Sequence, residues 1–254
     1  SLTVGVSNTA IGYYGLSEEV GGGNSTSVGN GALGKSNGGS SATLMDNTGV
    51  GVNSGFYNVT GTKNTYLGSH AGFGASGQSN SGNTAIGYEA LTAITTGGFN
   101  IAIGHEAGES VTTGGSNIHI GSLAGDNVSD ASHIIAIGDS AVRTGTTTTA
   151  ANGTVAVGSY ALENLTSGER NTAIGYQTLD ACTDSDRNTA VGYQSLSGMT
   201  GTAGETHNTA VGHHSGIIVS TGTGNTFLGS ECGDALTTGS NNTFIGKGSD
   251  GSAN

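Results

Sequence analysis

The word NTAIG at residues 171–175 returns in the next copy as NTAVG at residues 188–192. Related words end in glycine along the whole chain, and the spacing of successive glycines is 17 in most copies and 19 to 22 where residues are inserted. The 14 word-final glycines are Gly12, Gly29, Gly51, Gly68, Gly87, Gly104, Gly121, Gly138, Gly158, Gly175, Gly192, Gly212, Gly229 and Gly246. A copy this short cannot bury an apolar face alone, so the period predicts stacked copies that share one core.

Each position of the word admits few residue types. The residue before the glycine is Ile, Val or Leu in every copy, and the residue three before it is Thr, Ile or Val. Because side chains alternate along a strand, these two columns form one apolar, β-branched face. The residue between them is mostly Ala, as at Ala85 and Ala173, so we expect the opposite face to lie against something close. Three residues after the glycine the side chain is small, and four after it is mainly Leu or Gly.

We therefore predict an all-β fold, a parallel β-solenoid or β-roll of about 14 coils with a 17-residue period. It is expected to be one repeat domain over residues 1–254 and part of a longer fibre. Asn stands four residues before the glycine in 11 of the 14 copies, which predicts a hydrogen-bonded ladder along the stack. A helix is disfavoured by the β-branched word and its glycine, and the strict aliphatic column argues against disorder.

The glycine column is predicted to form the corner of each coil. Glycine is required there because the chain adopts positive φ or because another backbone approaches closely. The corner glycines singled out are Gly87, Gly104, Gly121, Gly175, Gly192, Gly229 and Gly246.

The composition predicts a thin core and self-association. Hydrophobic residues other than glycine make up 33% of the chain and charged residues make up 9%, and the charged fraction is far below the roughly 25% of ordinary domains. The Ala column leaves room for close approach, and we expect a homotrimer. The net charge is −12 with six Lys and Arg residues, which argues against a nucleic-acid partner. An acidic rod is soluble and suited to projecting into water.

The words NTAIGY and NTAVGY, each followed by a small residue and Leu as in residues 87–91, carry a resemblance. They look like the repeats of bacteriophage tail fibre and tail spike proteins. They are similar also to the head repeats of trimeric autotransporter adhesins, which form trimeric parallel β-rolls. The resemblance covers residues 8–250 and implies a trimeric fibre with a role in host attachment.

The N-terminal stretch SLTVGVSNTA has neither a basic region nor an apolar core, and no apolar run approaches a membrane span. We expect no membrane insertion and an extracellular location on a virion tail fibre, with the bacterial cell surface as the alternative. Cys182 and Cys232 stand seven and three residues after their glycines. Because the two cysteines stand in different columns of the repeat, a disulfide between them is not favoured, and two free, partly buried thiols are predicted.

Enzyme chemistry has little support in the sequence. There is no Ser/His/Asp order, P-loop, HExxH word or CxxC pair, so we predict no enzyme, catalytic residue, metal or cofactor. Glu89 and Glu106 occupy equivalent positions in adjacent coils, next to His105, and are interpreted as exposed charges on a solvated face rather than as a carboxylate pair or a cation site. The pair at 213–214 is not expected to hold a metal, since adjacent strand residues point to opposite faces. Glycoside hydrolysis by carboxylates of neighbouring chains stays an alternative.

One surface cluster is a candidate glycan-binding site. Tyr176, Tyr193 and His213 are consecutive members of the column just after the glycine, and Gln177, Gln194 and His214 follow them. Aromatic faces suit apolar sugar faces and amides suit hydroxyls, so the cluster is interpreted as a sugar platform. The alternatives are a structural aromatic stack at the corner, and recognition by the inserted loops.

These features together predict a structural and receptor-binding fibre segment, the shaft or host-recognition region of a phage tail fibre acting by multivalent attachment. The expected partners are the chain itself, a host cell-surface glycan or protein receptor, and other virion or filament proteins. The alternative is a bacterial trimeric adhesin head or a self-assembling extracellular filament subunit. Ice binding through Thr arrays is a weaker hypothesis, because only one column of the repeat is rich in Thr and the insertions are expected to break a flat lattice.

Overall fold

The computed structural model describes residues 5–39, 43–144, 151–200 and 204–250. These residues form a parallel β-solenoid of about 13 turns with a period of about 17 residues, and they contain no helix. The predicted all-β parallel β-solenoid with a 17-residue period is therefore confirmed, with about 13 turns, whereas the homotrimeric fibre stays a prediction. The chain divides into two compact units, residues 1–130 and 131–254, and the same repeat runs through each. A single repeat domain over residues 1–254 stays a prediction.

The described residues of the first unit form nine strands. Seven of them, each three residues long, pair in parallel as one sheet, and β2 pairs β4 beside it. The strands are β1 (Thr9–Ile11), β2 (Gly22–Gly23), β3 (Thr26–Val28), β4 (Thr43–Leu44), β5 (Thr48–Val50), β6 (Thr65–Leu67), β7 (Thr84–Ile86), β8 (Ile101–Ile103) and β9 (Ile118–Ile120). Equivalent residues of successive words face each other, as in the pairing of Thr84 with Ile101.

The second unit repeats this arrangement with seven strands in its main sheet and a short pair, β13 with β15, beside it. The strands are β10 (Ile135–Ile137), β11 (Val155–Val157), β12 (Thr172–Ile174), β13 (Ser185–Asp186), β14 (Thr189–Val191), β15 (Gly204–Glu205), β16 (Thr209–Val211), β17 (Thr226–Leu228) and β18 (Thr243–Ile245). Thr189 still pairs with Thr209 although an insertion separates their words. Inserted residues are therefore accommodated outside the main sheet.

The corner glycines singled out have positive φ. An added Cβ would meet nothing within 4 Å on Gly246, whereas it would meet the backbone of the next coil on Gly87, Gly104, Gly175, Gly192 and Gly229. Gly175 has a φ of +136°, and a Cβ added to it would lie 2.3 Å from the carbonyl oxygen of Gly192 in the next coil. Gly87 has the same φ and the same contact, at 2.2 Å, with Gly104. A side chain at the corner would both strain the backbone and collide with the neighbouring coil.

The structure corrects the prediction about the Ala face. The Ala column points into the solenoid, where Ala85, Ala173 and Ala190 are fully buried against the chain's own coils. The room that it leaves is therefore used inside one chain and not by a neighbouring one. The Thr and aliphatic columns point outward instead, and Ile174 on this face is 40% exposed. The apolar face that is open to another molecule is thus the β-branched one.

The interior is completed by three further columns after the corner. Small side chains three residues after the glycine, such as Ala90, and leucines four after it, such as Leu91, are fully buried. The column seven residues after the glycine is also buried, and the sequence analysis does not predict it. It holds the polar residues Glu19, Ser36 and Asn58 in the first coils, and its fully buried apolar members are Ile94, Val111, Val128, Leu165, Cys182, Met199 and Val219.

A large side chain in the Ala column is accommodated by glycines in the column four residues after the corner. Where Tyr66, His119 or Phe227 replaces the buried Ala, the residue four after the corner is glycine in the same coil and in the preceding coil. These glycines are Gly55, Gly72, Gly108, Gly125, Gly216 and Gly233. A Cβ on Gly72 would lie 2.2 Å from the ring of Tyr66. Leu91 adopts a φ of 52° at the equivalent position, so these glycines are needed for space rather than for φ.

The predicted Asn ladder is confirmed. The side-chain oxygen of Asn83 accepts hydrogen bonds from the backbone N–H of Asn100 at 2.9 Å and from its side-chain amide at 3.1 Å. The Asn83 amide in turn donates to the carbonyl oxygen of Gly97 at 3.0 Å. Because the side chain is fully buried, these bonds satisfy groups that water cannot reach.

Candidate functional site

The candidate glycan-binding residues of the second unit form two parallel columns on its surface. The backbone between coils fixes their spacing, since the N–H of Gln194 donates to the carbonyl of Tyr176 at 2.9 Å. The N–H of His214 donates in the same way to the carbonyl of Tyr193 at 2.9 Å. Successive coils therefore place equivalent side chains one strand spacing apart.

Tyr176, Tyr193 and His213 stack as one aromatic ladder. The ring centroids of the two tyrosines are 5.4 Å apart with planes 13° from parallel, and those of Tyr193 and His213 are 5.3 Å apart at 12°. Tyr160 meets Tyr176 edge-on at 5.9 Å. Tyr176 and Tyr193 are 41% and 44% exposed, so the ladder presents its edges and part of its faces to solvent.

Gln177, Gln194 and His214 form a second, hydrogen-bonded column that we call the amide ladder. The Nε2 of Gln194 donates to Oε1 of Gln177 at 2.7 Å, and Nε2 of His214 lies 3.0 Å from Oε1 of Gln194. All three backbones have positive φ, between 49° and 55°. The sequence prediction that these six residues come together in two adjacent columns agrees with this geometry.

The prediction for the His213–His214 pair is wrong in its geometry. The two residues lie in the turn after the strand, and the positive φ of His214 brings its ring beside that of His213, with centroids 3.8 Å apart. The rings therefore share one face of the coil instead of pointing to opposite faces. Within the described residues, no group of three or more His, Cys, Asp or Glu side chains is arranged to hold a metal.

The first unit carries a shorter version of the aromatic ladder. Tyr88 and His105 stack with ring centroids 5.5 Å apart. Here the neighbouring column holds Glu89 and Glu106 in place of amides, and Nε2 of His105 lies 3.5 Å from a carboxylate oxygen of Glu106. A hydrogen bond with Glu89 raises the pKa of Tyr88. This patch is acidic, so it differs in charge from the neutral amide ladder.

The outward columns of each main sheet form a surface that we call the outer stripe. It consists of the residues one and three before each corner glycine, all of them Thr, Ile, Val or Leu. In the second unit Ile174, Leu228 and Ile245 are 40%, 49% and 66% exposed. One aliphatic column and one column that is mainly Thr, neither of them with a charge, therefore face solvent along the coils of the unit, which is typical of an interaction surface.

Both cysteines are free and buried, as predicted. Burial raises the pKa of Cys182 to about 11, and burial likewise raises the pKa of Cys232. Thiols in this state are unreactive.

Comparison of the chain with models of protein families, with curated proteins and with solved structures finds no match. The described part of the chain has no helix that is long and apolar enough to cross a membrane. The site is therefore interpreted from its own geometry.

Proposed function

We propose that this chain is a structural and receptor-binding segment of an extracellular fibre, the shaft or host-recognition region of a phage tail fibre. The observation that carries the proposal is the coexistence of two surfaces on the solenoid of the second unit. The outer stripe offers an assembly surface, and the aromatic and amide ladders offer a polar and aromatic platform. Assembly then multiplies the platforms, so several weak contacts act together.

The outer stripe supports assembly of the chain with copies of itself. Its aliphatic and Thr columns repeat at the strand spacing, so a second copy presents the same period and can pack along the whole stripe. Covering such an exposed apolar surface is favourable by about 25 cal/mol per Å². The homotrimer is the form that the resemblance to tail fibres and trimeric adhesins implies.

Sedimentation equilibrium tests the assembly. The wild type is expected to sediment at three times the chain mass of 24.7 kDa. Val191→Glu places a charge on the outer stripe and should shift the protein toward monomer, because an unpaired carboxylate at a dry interface is costly. Ser197→Glu adds the same charge away from the stripe and serves as the control. A compact folded monomer for the wild type at all concentrations would contradict the proposal.

Host-cell adsorption tests the ladders. Replacing Tyr176 and Tyr193 with Ser should abolish most binding to host cells while the oligomer persists, because exposed rings contribute little core burial. The loss per site is amplified by multivalency. Phe99→Ser removes another exposed ring, 74% exposed, outside the ladder and is the matched control. Unchanged adsorption with a lowered melting temperature would show that the rings are structural.

The alternative within the same class is a bacterial adhesin head or a self-assembling filament subunit. It uses the same two surfaces but differs in what the fibre is attached to. Labelling the chain on phage particles or on bacterial cells by immuno-electron microscopy distinguishes the two origins.

A second candidate function is ice binding, and one observation favours it. Five threonines of the second unit stand in register on the outer stripe, namely Thr172, Thr189, Thr209, Thr226 and Thr243. The insertion between Thr189 and Thr209 does not interrupt this row, so the expected break in the lattice is absent here. Ice binding and fibre assembly both use the outer stripe, so a stripe covered by another copy is not open to ice. A monomer that shows thermal hysteresis on freezing would therefore support ice binding over the fibre.

A further inference from the structure

The first coils of the chain contain a cleft that the proposed attachment site does not use. It consists of two adjoining cavities in the first unit, with volumes of about 230 and 280 Å³. Glu18 and Lys35 line both cavities, so the two cavities share this ion pair. Tyr57 faces the smaller cavity, and Tyr14 and Phe56 face the larger one. We call this feature the paired cleft.

The sequence builds the cleft by placing rings beside glycines. Phe56 lies over Gly34, where an added Cβ would meet the ring at 2.6 Å. Phe56 also stacks on Phe73, with ring centroids 5.8 Å apart, and Tyr57 meets Phe73 edge-on at 5.0 Å. The backbone N–H of Lys35 donates to the carbonyl of Phe56 at 2.9 Å, which fixes the position of Lys35 relative to Phe56. The walls are therefore held by packing and by the backbone ladder.

The chemistry of the cleft is balanced between donors and acceptors. Lys35 and Glu18 form an ion pair in which both side chains remain partly open to solvent, at 38% and 52% exposure. The ammonium group donates and the carboxylate accepts hydrogen bonds, and Asn37 and Ser76 add further polar groups to the smaller cavity. The cleft thus joins aromatic faces with a pair of opposite charges whose sum is zero.

We propose that the paired cleft binds two consecutive sugar units of a neutral oligosaccharide, one ring in each cavity with the Glu18–Lys35 pair at the linkage. Each cavity is smaller than the roughly 300 Å³ at which pockets for drug-sized ligands begin, so it fits a single ring better than a larger group. Sugar rings combine an apolar face with hydroxyls that both donate and accept. An anionic sugar is disfavoured, because the ion pair with Glu18 already neutralises the charge of Lys35 and the chain carries a net charge of −12.

This inference rests on the proposed attachment function in that both concern glycans, but the residues belong to different units and can be separated by mutation. The probes are cellobiose, lactose, maltose and mannobiose, each tested with the full chain by saturation-transfer NMR and then by titration calorimetry. The variants are Lys35→Ala and Tyr14→Ser, and Glu18→Gln is the near-isosteric alternative if either affects folding. Lys63→Ala removes the same charge outside the cleft and is the matched control.

At least one disaccharide should bind the wild type, and Lys35→Ala or Glu18→Gln should weaken it about tenfold or more, as expected for a lost charged hydrogen bond. Tyr14→Ser should weaken the same ligand, whereas Lys63→Ala should leave its affinity unchanged. The protein with Tyr176 and Tyr193 replaced by Ser should bind it like the wild type. Absence of binding by all four sugars would overturn the proposal, as would equal affinity in Lys35→Ala. If only the Tyr176 and Tyr193 substitutions abolish binding, the sugar site is the ladder and the cleft proposal fails alone.

Discussion

Acidification is expected to destabilise the first unit through one buried side chain. His119 takes the place of an interior Ala, is fully buried, and has no hydrogen-bond partner on either ring nitrogen. Burial lowers its pKa from 6.5 to about 4. The coil therefore holds a neutral imidazole, and protonating it places an unpaired charge in the core.

The sign and size of the effect follow from this shift. In the unfolded chain His119 binds a proton near pH 6.5, whereas in the folded chain it does so near pH 4. Protonation of His119 therefore does not reduce the free energy of unfolding above pH 6.5. The free energy of unfolding falls as the pH drops from 6.5 toward 4, and below pH 4 this group causes no further loss. The lowering of the pKa corresponds to about 3 kcal/mol.

Urea unfolding of the wild type and His119→Phe between pH 4 and pH 7.5 measures the effect. Phe fits the site, because Gly108 and Gly125 flank the ring as Gly216 and Gly233 flank Phe227. The variant should lose less stability on acidification, and the difference between the two proteins should grow as the pH falls below 6.5. Contributions from carboxylates are common to both proteins and cancel in this difference. Parallel pH profiles would refute the reasoning.

Three further outcomes test the interior. Phe227→Ala should cost about 3–5 kcal/mol, and adding Gly216→Leu should recover part of this loss because Leu refills the space, which a double-mutant cycle in urea measures. Gly175→Val places a β-branched residue at a φ of +136° and should lower the melting temperature strongly. Removal of three residues from the insertion within residues 193–211 should lower it far less; residues 201–203 of this insertion lie outside the described part. A larger effect of the deletion would reverse the assignment of corner and loop. Asn83→Asp should lower the free energy of unfolding by about 2 kcal/mol or more at pH 7, because the buried carboxylate cannot donate a hydrogen bond to the carbonyl of Gly97. Thermal melts equal to those of the wild type would contradict a stabilising contribution of the Asn ladder.

Much of the fold follows from the period and the word. The strand, the glycine corner and the Asn ladder each have a local cause, namely β-branched alternation, positive φ and identical side chains at one strand spacing. For the same reason the six ladder residues from Tyr176 to His214 could be assigned to two neighbouring columns. Equal spacing in sequence becomes contact in space once coils stack in register.

The direction of the two faces could not be read from the word. Ala and Ile are both apolar, so alternation alone does not show which of Ala173 and Ile174 lies inside. The decision depends on the rest of the coil, because the leucines and the aliphatic column seven residues after the glycine fill an interior that leaves room only for Ala. That last column was missed because its members vary from Val111 to Met199. The exception at Tyr66, with its neighbouring glycines, was the signal that could have revealed the inner face.

The outer stripe gives the strongest reason to expect a partner. Solvent-facing strand positions usually accept charged residues, yet the 14 copies contain no Asp, Glu, Lys or Arg at either outward position of the word. Interior packing cannot explain this restriction, because the structure shows these side chains pointing away from the chain's own core. Charges do occur on the loops that follow, as at Glu163 and Asp184, so the restriction is specific to the stripe. A surface that excludes charge in every coil while remaining at least partly exposed in the single chain fits one that another molecule covers in the proposed assembly.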